Sequence, residues 1–89
     1  MTGTKGERVY PDSEGHLWLR KGQYGQDVRG NWVVRPPGPF QRAGVISDTH
    51  TVGEFPDGTI TVCPSIVRMD ESGFELWQGW LQRGVWHDA

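Results

Sequence analysis

The chain has a single cysteine, Cys63, only four leucines and two alanines, and no apolar run long enough for a secretory signal or a membrane span. One cysteine excludes an internal disulfide, and the missing leader and span predict a soluble protein of a reducing cytoplasm. Clustered basic charge is missing too. The net charge is -2 with the signs interspersed, so neither double-stranded DNA nor an anionic membrane is an expected partner, since both need grouped Lys and Arg.

What is present favours a sheet. Nine valines and three isoleucines outnumber the leucines and alanines, and β-branched side chains fit a pleated surface better than a helix. Apolar residues other than tyrosine, with the 13 glycines, make 42 of 89 residues, within the range of about 45–50% typical of globular chains, which argues against disorder. A chain this short forms one domain with a thin core. The expected fold is all-β, a small antiparallel β-sandwich or partly open barrel built from hairpins. It occupies residues 16–89, after an extended or flexible N-terminal arm over residues 1–15 in which Val9-Tyr10 could add an edge strand.

Along the chain, His16 to Arg20 reads as the first strand. Tyr24 to Val28 and Trp32 to Arg35 form a hairpin across Arg29-Gly30-Asn31, and Pro36-Pro37-Gly38-Pro39 ends pairing and opens a surface loop of polyproline character through Gly44. Thr49 to Phe55 pairs with Thr59 to Cys63 across Pro56-Asp57-Gly58, with Ile60 and Val62 on one face and Thr59, Thr61 and Cys63 on the other. Pro64 breaks the ladder and sends Ser65-Ile66-Val67 toward another edge. Phe74 to Leu81 and Val85 to His87 form the closing hairpin around Gln82-Arg83-Gly84. No internal repeat is apparent.

Five tryptophans, Trp18, Trp32, Trp77, Trp80 and Trp86, are the main functional hint, because each carries a large apolar surface with one N–H donor. Trp77 and Trp80 differ by an odd step and point to opposite sheet faces, so either both faces are covered or one is a contact surface. Gly79 between them marks a β-bulge or a place of close approach. The candidate ligand or subunit surface is Trp77, Gly79, Trp80, Arg83, Trp86 and Arg68, with arginines over an aromatic floor suited to a small anionic or nucleotide-like ligand. His16, His50, His87 and Cys63 are zinc-ligand types, but their spacing matches no short motif. Ser47-Asp48-Thr49-His50 contains hydrolase-like residue types whose simpler role is turn capping.

The tract DGTITVCPSIV followed by GWLQRGVW resembles a family of small proteins encoded by phages of actinobacteria. The resemblance runs from His50 to His87, with weaker similarity in PDSEGHLWLRKG at Pro11 to Gly22. A more distant similarity is to phage proteins with a PSI tract and a Cys-His pair that suggests zinc. Here that pair falls on Trp77 and Gln78, so no metal and no cofactor is carried over. The resemblance implies an accessory protein of the host cytoplasm that sequesters a ligand or inhibits a host protein, and the excess of tryptophan over so thin a core points to a non-enzymatic homodimeric binding module. The alternatives are a minor virion structural protein, or a small metal-binding protein or enzyme using His16, His50, Cys63 and His87.

Overall fold

The computed structural model describes residues 3–38 and 42–89. These residues contain no helix and nine strands: β1 (Thr4–Lys5), β2 (Glu7–Arg8), β3 (Gln23–Gln26), β4 (Trp32–Val34), β5 (Gly44–Val45), β6 (Thr51–Glu54), β7 (Ile60–Met69), β8 (Glu75–Gln82) and β9 (Val85–Asp88). They make two open sheets, ordered β1-β9-β8-β7-β6 and β2-β3-β4-β5. Every pairing is antiparallel except β2 with β3. The protein is all-β, as its β-branched composition predicts, and neither sheet closes into a barrel. Both sheets feed one core, with Tyr24 and Val34 from one and Ile60, Val62, Ile66, Leu81 and Trp86 from the other, joined by Ile46.

One turn design recurs. Asp12, Asp27 and Asp70 each begin an Asp-x-x-Gly sequence whose glycine has positive φ, at Gly15, Gly30 and Gly73. In each, the glycine N–H donates to the aspartate carbonyl, and the aspartate N–H donates to the carbonyl of the residue after the glycine. The carboxylate accepts two more backbone N–H bonds, from Glu14 and His16, from Arg29 and Asn31, and from Ser72 and Phe74. This is the three-residue hairpin loop in which glycine supplies the left-handed residue. Phe55-Pro56-Asp57-Gly58-Thr59 makes the same backbone bonds, with Asp57 accepting from Thr59 N and Oγ1.

Hydrogen bonds to the charged form hold all four carboxyls below the ordinary aspartate value of 3.8: backbone N–H bonds lead at Asp12 and Asp27, and a hydroxyl bond leads at Asp57 and Asp70. A depressed folded-state pKa contributes stability that is present above the unfolded value and lost as pH falls through the folded one. Stability is therefore expected to be flat near neutrality and to fall below about pH 4. Asp70→Asn should make that acid limb shallower, as measured by urea midpoints across a pH series; an unchanged limb would assign it to other groups.

Several local expectations give way to longer-range contacts. His16 to Arg20 is not a strand. Leu17 packs over Gly25, where a Cβ would meet the Leu17 methyls at 3.2 and 3.4 Å, while Leu19 O accepts from the Arg35 guanidinium and Arg20 N donates to Gln23 Oε1. The segment crosses the smaller sheet instead of extending it. In the N-terminal arm, β1 pairs with β9 and β2 with β3, so the arm laces the two sheets together. Gly6 makes the crossing, donating to Gly84 O at 2.7 Å, and its missing Cβ would lie 2.9 Å from both that oxygen and Trp86 Nε1.

Pro64 does not divert the chain, although the Cys63–Pro64 bond is cis. β7 runs through it and keeps β8 as its neighbour, with the irregularity absorbed by extra residues between Val62, paired with Leu81, and Ile66, paired with Gly79. A proline that cannot donate sits at such a bulge without leaving a ladder bond broken. Pro36, expected in a surface loop, is buried, and Gly44, expected at the end of that loop, lies in β5. Pro39 lies outside the described residues.

Candidate functional site

The closing hairpin sorts its tryptophans by parity. Trp77, Gly79 and Leu81 face inward on β8 with Trp86 beside them on β9, and Trp80 faces outward opposite His87. Trp86 is fully buried and donates from Nε1 to Gly22 O at 2.9 Å. Trp77 is half-buried, meets Trp86 edge to face at 5.8 Å and 78°, and donates to Asp88 Oδ1. Its indole covers Gly79, where a Cβ would collide with His87 O and lie 2.6 Å from the ring. The close approach that Gly79 permits is therefore occupied by the chain's own tryptophan. Trp32 is half-buried against the same core, whereas Trp18 is 72% exposed, edge-on to His16 at 5.6 Å.

The expected six-residue surface thus divides into four places. Trp77, Gly79 and Trp86 are inner packing. Arg83, at the β8–β9 turn with φ 46°, lays its guanidinium 4.3 Å from the Phe55 ring, away from the tryptophans. Arg68 pairs with Trp77 across the ladder on the inner face, but its guanidinium reaches the β5 end and donates to Arg42 O at 3.1 Å.

Trp80 remains, on a sheet face that no described element covers. Val67 and Met69 on β7 are exposed with it, as are Leu76, which is the extra residue of a bulge between the Arg68–Trp77 and Met69–Glu75 pairs, and Phe74 at the turn. The Cys63–Ser65 bulge lies across from Trp80 on the same ladder. This collection of large apolar side chains is an unpartnered surface of the five-stranded sheet.

His16, His50, His87 and Cys63 do not assemble. Among the described residues the sole group bringing three metal-ligand types within 4.8 Å is Asp12, Glu14 and His16, all exposed, where Asp12 is already engaged in its turn. His50 contacts Thr49 Oγ1 at 2.7 Å through Nδ1 and Ser65 O at 3.1 Å through Nε2. The carbonyl can only accept, so Nε2 carries a proton, and in the neutral ring Nδ1 accepts from the Thr49 hydroxyl. The ring ties the start of β6 to the β7 bulge. Ser47 Oγ accepts from Trp32 N at 2.6 Å, a contact to β4 fifteen positions away in place of the local turn cap expected of it.

Two concave regions accompany these surfaces. One, of about 590 Å³, lies at the Asp70–Gly73 end of the β7–β8 hairpin, with Arg42, Arg68, Met69 and Leu76 in its wall. A shallower one of about 440 Å³ lies beside Trp18, Val28 and Arg29. In comparisons with known proteins, no family model, curated protein or solved structure matches the chain.

Proposed function

We propose that the protein is a non-enzymatic binding module that acts as a homodimer, two copies stacking through the outer face of the five-stranded sheet around Trp80. The observation that carries this reading is the uncovered apolar face formed by Val67, Met69, Leu76 and Trp80. Its size suits a weakly associating second copy. Five strands at about 4.8 Å spacing span roughly 19 Å and the eight residues of β8 run about 26 Å, a patch of about 500 Å², which is below the ~800 Å² per partner of standard stable interfaces.

Charge selects the orientation. Asp70, Glu71 and Glu75 lie at one end of the hairpin, and Lys5 and Arg83 at the other, partly offset by Asp57. A two-fold axis lying across the strands brings the acidic end of one copy over the basic end of the other, as a self-complementary interface requires. The resemblance of His50 to His87 to phage proteins supports an accessory role in a host cytoplasm, where such a dimer would hold a small ligand or occlude a host protein.

Sedimentation velocity tests the dimer. The wild type is expected to be dimeric at about 100 µM and Trp80→Lys monomeric, because a buried lysine without a partner costs several kcal/mol per interface. The far-UV spectrum of Trp80→Lys should stay native. A monomeric wild type at that concentration, or a Trp80→Lys dimer of unchanged affinity, would dismiss the face as the interface.

A further inference from the structure

We infer that the cavity at the Asp70–Gly73 end of the β7–β8 hairpin binds an oxyanion carried on an apolar body, a phosphate monoester or a carboxylate, gripped by Arg68 and Arg42. Its volume of about 590 Å³ is that of a small-molecule site. Met69 and Leu76 give it an apolar wall, and the two arginines give it donors. The cavity shares Met69 and Leu76 with the proposed dimer face, but its test reads Arg68 and Arg42 whereas that of the dimer reads Trp80, so either reading can fail without the other.

The state of Arg68 carries the argument. The residue is partly buried, yet among the described residues its guanidinium makes no ion pair, and its one hydrogen bond is from Nη2 to Arg42 O. A guanidinium has five N–H donors and cannot lose its charge, and the donors not turned to Arg42 O stay open to solvent in the cavity wall, where an oxyanion can take them. An oxyanion would replace that solvent with charge-assisted, bidentate hydrogen bonds, the stronger kind that a planar fork makes.

The position of this guanidinium is set by a neighbour distant in sequence. A Cβ at Gly44 would collide with Arg68 Nη1 and lie 3.1 Å from its Cζ, so the bare backbone of β5 forms the ledge on which the group rests. Arg42 O holds its other side. The acid nearest in sequence does not neutralise it, because the Asp70 carboxylate is turned into its own loop, accepting from Ser72 N at 2.9 Å, Ser72 Oγ at 2.7 Å and Phe74 N at 2.9 Å. Glu71 shares the lining without an ion pair and disfavours highly charged ligands by like-charge repulsion. What fits is one phosphate or carboxylate toward the arginines and an apolar body against Met69 and Leu76.

The test is a two-dimensional amide NMR titration of the full chain with phenyl phosphate, benzoate and inorganic phosphate. Saturable shifts at Arg68, Met69 and Leu76 are expected with phenyl phosphate or benzoate, the stronger of the two identifying the headgroup, and about tenfold weaker binding of inorganic phosphate, which lacks the apolar body. Arg68→Ala should weaken the better ligand about tenfold or more, and Arg42→Ala should weaken it as well. Where Arg68→Ala loses its native spectrum, Arg68→Lys asks the same question, because lysine keeps the charge and loses the planar fork. No saturable shift at about 10 mM of either aromatic probe, or unchanged affinity in the folded Arg68 variant, would overturn the proposal.

Discussion

Replacing Arg8 by alanine is expected to destabilise the fold by about 2–4 kcal/mol, because this side chain joins the two sheets through three kinds of contact at once. It rises from β2 in the smaller sheet, and Nη1 donates to Glu54 Oε2 at 2.9 Å and to Gly58 O at 2.8 Å on the β6–β7 hairpin of the larger one. Its guanidinium carbon lies 4.6 Å from the Tyr10 ring centre and 5.0 Å from that of Trp32. The side chain is only 12% exposed whereas Glu54 is 47% exposed, so Glu54 can be rehydrated when the pair breaks. That is why the expected loss lies below the upper values seen for fully buried pairs.

Conservative variants separate the contributions. Glu54→Gln should cost no more than about 1 kcal/mol, the scale of a solvent-exposed pair. Arg8→Lys should recover less than half of the alanine loss, since an ammonium cannot lie flat between Tyr10 and Trp32 while reaching both oxygens. Urea unfolding followed by tryptophan fluorescence reads all three. An Arg8→Ala midpoint within error of wild type would show that the shared core and the N-terminal arm join the sheets without this side chain.

The parts of this architecture that could be read in advance are those encoded locally. The β6–β7 hairpin follows from Asp57-Gly58 and from alternation that puts Ile60 and Val62 in the core while Cys63 is exposed. The last hairpin follows from Gly84 and from the β-rich runs on either side of it. The Asp-x-x-Gly turns were also present as a signal, at Asp12, Asp27 and Asp70, although the segments between them share no other pattern. Two-residue strands such as β1 and β2 carry no period at all, and their pairing depends on Gly6 passing between Gly84 and Gly22. The alternation of Leu17-Trp18-Leu19 fits a strand equally well whether it pairs with a neighbour or packs across one, and only Gly25 beneath Leu17 decides between them.

The candidate surfaces divide in the same way. Parity alone separates Trp77 from Trp80, so the outward position of Trp80 is a property of β8 by itself. Which tryptophan is core and which is surface depends on what stands opposite: Gly22 O and Gly6 over Trp86, and nothing described over Trp80. The Arg68 cavity was hidden for a similar reason. It requires Gly44, 24 positions earlier, to lie under the guanidinium, and no local pattern joins the two.

Trp86→Ala is expected to cost about 3–5 kcal/mol, the range for emptying a buried aromatic site, and its neighbours give reason to place it at the upper end. The indole is 1% exposed at the crossing point of the N-terminal arm, and β8, β9 and β1 are held together around it. Trp86→Phe keeps most of the ring volume and loses the Nε1–H bond to Gly22 O, so its cost should be smaller, about 1–3 kcal/mol for a buried acceptor that loses its partner. Trp77 supplies the second test. Its ring stands edge-on to Trp86 while covering Gly79, so removing Trp86 frees Trp77 to shift and removing both cannot cost the sum of the two. A double-mutant cycle through Trp77→Ala and Trp86→Ala should show a coupling of about 0.5–1.5 kcal/mol. Strict additivity would mean that the two indoles are held by the sheet independently, and that Gly79 is required by the His87 carbonyl alone.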